Sequence, residues 1–447
     1  MTGERRRLLF LLIVLAAATV PAGVLRATCV GNSCAQGSGA ALRVPFCSLP
    51  ASIRTLIAAG FAPDRSPDVV AVTARSTAVV GSAGKGGPSL SVPWPSEGAV
   101  QDVRVPLVFA GPGVAPRPLG PGVGLGDVAP TLAAALGIDL PRAALRSRSP
   151  LDIGSPPAPR LVLEIVWKGI GSTDLSAVPR MWPNLRSLER HGSSTLRAST
   201  GSLPVDPTAV LATLATGALP SSSGIVGTTE RSPYNRSRVR VGGPLEPPMA
   251  VSTLADDLDR EMGQRPLIGV VGTDPADRIA IGGFFYVASD RDTAVFDKGG
   301  ARSATGSALD ALRLRGFGAD RIPDLLAVVL HDSIVRDDTA TRVILRAARR
   351  VAHGSVLAVV TGTGSTRPSA RQVTTAAQVV KEVEQRLGAG HVVDFAGPGG
   401  LFLEQTQGTR VSAGAVARAL RRLTGPGGGP IMADAFPGFA VALARFC

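Results

Sequence analysis

An α/β protein with a buried, mostly parallel central sheet is what three features of the 447-residue chain predict. Short, near-continuous apolar runs alternate with longer amphipathic stretches, the patterns of strands buried on both faces and of helices lying over them. Hydrophobic residues make up 45% and charged residues 18%, enough apolar surface to offset the entropy of ordering one large unit or two to three domains. The 53 glycines and 36 prolines punctuate these runs without forming a repeat.

The elements follow in chain order. Arg5-Arg6-Arg7 precedes an uncharged apolar stretch from Leu8 to Leu25, the form of an export signal (residues 1–25). Val20-Pro21-Ala22 offers a cleavage site, and the length also suits an anchor, so secreted and cell-membrane forms are both open. Either way the basic flank stays inside and the rest works outside the cytoplasm. A linker occupies 26–46, and folded structure begins at Cys47. Strands are expected over 68–73, 105–110, 160–167, 266–272, 325–330 and 356–361. Helices are expected over 127–136, 181–191, 207–216, 251–262, 339–352, 369–387 and 412–423. The Pro-rich stretch 147–159 divides a front part from a longer back part.

The charge of +13 invites a nucleic-acid reading, which the distribution of basic residues argues against. Lysine stands only at Lys85, Lys168, Lys298 and Lys381; the many arginines are scattered, and aromatics are 4% of the chain, too few for base-stacking platforms. Four cysteines, Cys29, Cys34, Cys47 and Cys447, suit an oxidising compartment. Three pairings are open; a local Cys29–Cys34 bridge and a long-range Cys47–Cys447 bridge are expected. No C-x₂-C pair suggests zinc.

In an open parallel sheet ligands gather at the carboxyl ends of strands. Those ends carry Lys168, His331-Asp332, and Thr361 with Thr363. Polar residues there often mark only the exit to water. Lys168 stands out because arginine is used nearly everywhere else, and Glu164 is unusual inside a buried run. Asp206 and Pro207 read as N-cap and first residue of a helix, placing the Thr208 hydroxyl at an anion-favouring terminus, although capping alone accounts for the pair. No phosphate-binding loop is present: Gly84-Lys85-Gly86-Gly87 and Gly427-Gly428-Gly429 lack the GK[ST] ending. Asn235-Arg236-Ser237 matches a glycosylation triplet and carries little weight.

The run LATLATGALPSSSGIVG from Leu211 to Gly227 resembles the segment after the nucleophile in the alkaline phosphatase superfamily, of the type I phosphodiesterase/nucleotide pyrophosphatase kind. The segments 160–171, 323–332 and 356–364 resemble that family's metal-bearing strands, and 105–113 and 127–132 resemble its late segments. The resemblance implies an alkaline-phosphatase-like three-layer fold in permuted order over 47–447, with 47–150 as the permuted segment and 160–447 as the main part. It then predicts that 68–73 and 105–110 join the sheet of 160–167, and a Cys47–Cys447 bridge would hold the new ends together.

The family holds two divalent ions with Asp and His around a Thr or Ser nucleophile, and most of those positions differ here. Lys168 stands for the first aspartate, Gly362-Thr363-Gly364 for a Ser-Asp-His stretch, and Ser223 for a histidine. The nucleophile falls at Pro207 or Thr208. Asp332 alone is retained, with Arg336 where a histidine is expected, and it could pair with Lys168 instead. The expectation is therefore a catalytically degenerate, exported or membrane-anchored protein binding an anionic small molecule or an envelope component, with no cofactor. Its ligand residues would be Lys168, Asp206, Thr208, His331, Asp332 and Thr363. The alternatives are a zinc-dependent phosphoric ester hydrolase using His331, Asp332 and Asp206, with Thr208 and Lys168 catalytic, and a structural envelope protein.

Overall fold

A computed structural model describes residues 45–81, 93–141, 145–146, 150–244, 249–283, 292–296, 299–367, 370–404 and 411–443. The export segment, Cys29, Cys34 and Cys447 lie outside them. No helix among the described residues is long and apolar enough to cross a membrane.

From Val44 onward the chain is one compact unit. Its strands, in chain order, are β1 (Val69–Thr73), β2 (Thr77–Val80), β3 (Arg104–Ala110), β4 (Arg117–Pro118), β5 (Leu161–Trp167), β6 (Ser193–Ser199), β7 (Thr229–Arg231) and β8 (Arg238–Arg240). They continue as β9 (Ile268–Gly272), β10 (Thr293–Phe296), β11 (Asp324–Leu330), β12 (Val356–Gly362), β13 (Gln372–Thr375), β14 (Val393–Gly397), β15 (Gly400–Leu403) and β16 (Met432–Pro437).

Eight strands form a mixed, mostly parallel sheet in the order β10-β9-β11-β5-β12-β3-β6-β4. The five from β10 to β12 are parallel, and β3 runs antiparallel to both its neighbours. Side chains alternate between two cores. Val162, Val166 and Ala327 face a cluster with Val210, Leu214 and Leu132, whereas Leu163, Ile165 and Val328 face one with Ala304, Leu312 and Ile344. Helices cover both faces, which is why all seven residues of β5, β11 and β12 are buried and their sequences read as continuous apolar runs.

A second sheet, β14-β15-β1-β16, packs under the helices Ala376–Leu387 and Ala413–Arg421 around Val379, Leu401 and Leu420. The expected strand at 68–73 belongs here and not to the main sheet: β1 pairs antiparallel with β15 and β16. Apolar content specifies burial and leaves the partner undetermined, so the two front strands could not be assigned to sheets from sequence. The expected helix over 369–387 begins only at Ala376, where Thr375 caps it; the preceding four residues form β13 beside β2.

Candidate functional site

Three adjacent parallel strands, β9, β11 and β5, end together, and their first residues beyond the sheet open a cleft of about 1340 Å³. Lys168 follows β5, Thr273 and Asp274 follow β9, and His331 follows β11. Facing them are Asp206 and Thr208 at the start of the helix Pro207–Thr216, Thr228 before β7, and Arg238 and Arg240 on β8. The far wall is the helix Ala376–Leu387 with Lys381, joined by Trp94 and by Phe395 of β14.

Lys168 is 4% exposed and its Nζ donates to Asp277 Oδ1 at 2.6 Å and to Thr273 Oγ1 at 3.2 Å. Asp277, fully buried, uses Oδ2 to accept the amides of Thr273 and Asp274 and the Thr273 hydroxyl. The expected partner Asp332 is thus replaced by Asp277, which reaches the lysine from the short helix Pro275–Asp277 after β9. A readable cue existed: Asp274-Pro275 repeats, after a strand, the helix-start pattern of Asp206-Pro207.

Asp206 caps the helix Pro207–Thr216. Its Oδ1 accepts Thr208 N at 2.8 Å, Ala209 N at 3.4 Å and the Thr228 hydroxyl at 3.5 Å. The helix terminus expected to hold an external anion is therefore filled by the protein's own carboxylate. Burial pushes the Asp206 carboxyl up, against these hydrogen bonds and the attraction of Lys168. Thr208 Oγ1 and Thr228 Oγ1 lie 2.7 Å apart, so the hydroxyls run in a chain from the cleft to Asp206. Burial and the nearby Lys168 ammonium lower His331, opposed by Asp277 and Asp332, so its imidazole is neutral near pH 7.

Of the residues the sequence singled out, the cleft brings together Lys168, Asp206, Thr208 and His331. Two others do not line it. Asp332 accepts Ser333 N at 2.7 Å and Ala301 N at 3.3 Å and meets Arg336, tying together the starts of the helices Ile334–Val351 and Ala301–Leu314. Burial opposes its ionisation, and those hydrogen bonds outweigh that, leaving its carboxyl below the usual range. Thr363 is fully buried, and its hydroxyl accepts Gly169 N at 2.8 Å, fixing the turn after Lys168. Sequence reading missed Thr228, Thr273, Asp277, Arg238 and Lys381, because spacing does not show which loops meet across the cleft.

The side chains do not fit a pair of divalent ions. Both oxygens of Asp277 are engaged, Oδ1 by an ammonium, and Asp206 Oδ1 already accepts three donors. Among the described residues no three His, Cys, Asp or Glu side chains are grouped to hold a metal ion.

No protein family and no curated protein matches the sequence. One similar solved structure is phosphonoacetate hydrolase from Sinorhizobium meliloti 1021 in complex with phosphonoacetate, at TM-score 0.35 and 14% identity, covering 53% of this chain. The matched region spans 64% of that hydrolase's length.

Proposed function

We propose that the cleft is a metal-independent binding site for an anionic ligand, in an exported or membrane-anchored protein built on a degenerate, permuted alkaline-phosphatase-like scaffold. One observation carries the reading: a buried ammonium, Lys168, stands at the end of β5 with Asp277 clamped to it. A cation at that point repels a second cation by several kcal/mol at short range. Two further cations on the cleft walls, Arg238 and Lys381, have no acidic partner among the described residues, and so remain available to an anion. The permuted order draws support from β3, which comes from the front segment and sits inside the main sheet between β12 and β6.

A hydrolase is favoured by one feature, the Thr208–Thr228–Asp206 chain, through which a carboxyl raised by burial could accept the Thr208 proton. Metal analysis of the full chain after zinc and manganese supplementation, an aryl phosphodiester assay and calorimetric titration with anions separate the two. Anion binding without stoichiometric metal or turnover is expected. Stoichiometric zinc or manganese together with turnover lost in Thr208→Ala would overturn the binding reading.

A further inference from the structure

Surface charge is laid unevenly over the two faces of the main sheet. The helices Ala301–Leu314 and Ile334–Val351 pack side by side over one face, against Leu163, Ile165 and Val328. Ile334–Val351 exposes Arg342, Arg346, Arg349 and Arg350, whose spacings of four, three and one set them along one outward stripe. Ala301–Leu314 exposes Arg302 and Arg313, and the exposed Arg315 follows at its C-cap. None of these seven has an acidic partner among the described residues. The acids of the longer helix turn inward: Asp338 accepts Asn184 N at 3.1 Å and Leu185 N at 2.8 Å, and Asp337 is fully buried. Asp310 is the one exposed carboxylate on the pair. By contrast the helix Leu254–Glu261, which packs into the other core, carries four acids and one arginine.

Apolar exposure accompanies the charge. Leu314 is 79% exposed between the exposed Arg313 and Arg315, and Val335 is 47% exposed on the neighbouring helix. The helix dipole favours cations in a last turn, which by itself accounts for Arg313, Arg349 and Arg350. It accounts neither for Arg342 and Arg346, more than one turn from that end, nor for a leucine left in water between two arginines. An anionic bilayer suits all of these: phosphates take the guanidiniums, the headgroup boundary takes the leucine, and two helices side by side present a broad face to a flat surface. A nucleic acid would match the charge and leave Leu314 in water.

We propose that the outer faces of Ala301–Leu314 and Ile334–Val351 dock on an anionic phospholipid surface, with Leu314 entering the headgroup region. The reading of residues 1–25 as an export signal or anchor brings the chain to such a surface. Both helices return from the carboxyl end of one parallel strand to the amino end of the next, β11 or β12, so Leu314, Arg349 and Arg350 lie at the end of the sheet opposite the cleft. The cleft therefore stays open to solvent in the docked protein. The two helices contribute no residue to it, so the surface stands whether or not the cleft binds an anion.

The test titrates the full chain with vesicles of phosphatidylcholine alone and of phosphatidylcholine with an equal share of phosphatidylglycerol. What residues 8–25 contribute to both then cancels in the ratio of affinities. Each arginine near an anionic surface is worth about fivefold, so the anionic vesicles should bind roughly thirtyfold or more tighter at low salt. The preference should shrink at about 0.5 M salt. Arg342→Gln, Arg346→Gln, Arg349→Gln and Arg350→Gln together should remove most of it, whereas Arg238→Gln with Lys381→Gln, at the cleft, should leave it whole. Trp94, Trp167 and Trp182 are at most 4% exposed, so the fluorescence of Leu314→Trp reports on that position, and brominated acyl chains should quench it in the anionic vesicles. Equal affinity for the two vesicles, or a preference kept by the four-arginine variant and lost in Arg5→Gln, Arg6→Gln and Arg7→Gln, would overturn the proposal. So would an unquenched Leu314→Trp, or a DNA duplex held more tightly than the vesicles by the same four arginines.

Discussion

Two single residues, one inside β5 and one just beyond its end, show how much one side chain can decide. Glu164 lies in the middle of the strand, 1% exposed, its Oε1 without a hydrogen-bond partner among the described residues, and burial pushes its carboxyl up to about 8. The native state therefore keeps a proton that the unfolded chain releases near pH 4.5, the ordinary value. Stability from this group is full below about 4.5, falls as pH rises, and is lost by about 8, a change on the order of 5 kcal/mol at most. Glu230 and Asp337, both pushed up to about 7, slope the same way. Glu164→Gln should flatten the pH dependence of the denaturant midpoint between pH 5 and 8; an unaltered slope would place the effect elsewhere. Lys168 behaves oppositely. Lys168→Met leaves Asp277 a buried charge without its cation, a loss of roughly 3–5 kcal/mol, and Lys168→Met with Asp277→Asn should recover most of it. Equal unfolding midpoints for the single and double variants would show that the pair is not coupled. That Lys168 was special could be read from a chain that otherwise uses arginine. Its partner could not, because the contact spans 109 residues and depends on which strands lie side by side.

Among the elements, legibility followed burial. The strands β3, β5, β9, β11 and β12 were readable because both their faces are buried and nearly all their positions are apolar. β6, Ser193–Ser199, was invisible: it lies near the sheet edge, its middle residues are partly exposed, and Ser193 and Ser194 donate to the backbone carbonyls of Ala115 and Glu189. The helix start at Pro207 was readable because Asp206 announces it, whereas the helix expected from 251 begins only at Leu254, where Thr253 caps it. The start of Ile334–Val351 was missed because its N-cap, Ser333, makes no side-chain cap bond and Asp332 does the work from one residue earlier. A residue that closes two helix starts acts as a cap, so Asp332→Ala should cost about 1–2 kcal/mol in denaturant unfolding and leave ligand affinity unchanged. Loss of ligand with unaltered stability would return Asp332 to the binding site.

For the molecule as a whole, the decisive fact is that the front segment is woven into both sheets. β3 and β4 enter the main sheet and β1 the smaller one, so the front segment has no core of its own and the two parts fold together. Weaving also brings the outer elements together. The turn Pro45–Ser48 packs against β16 and the helix Gly438–Ala442, with Phe46 set edge-on to Phe436 at 5.0 Å between centroids. Cys47 follows Phe46 directly, and Cys447 stands four residues after Leu443 in the sequence, outside the described residues. A Cys47–Cys447 bridge would close a loop of 400 residues and, in the chain-entropy view, stabilise the fold by on the order of 5 kcal/mol, reduced by any strain. Because the joined elements already touch, breaking the bridge should lower the unfolding midpoint without altering the circular dichroism of the native state. Non-reducing peptide mapping of the exported protein should recover the two peptides linked, and Cys47→Ser should reproduce the effect of reduction. Recovery of Cys447 linked to Cys29 or Cys34, or as a free thiol, would mean that packing alone keeps these elements together.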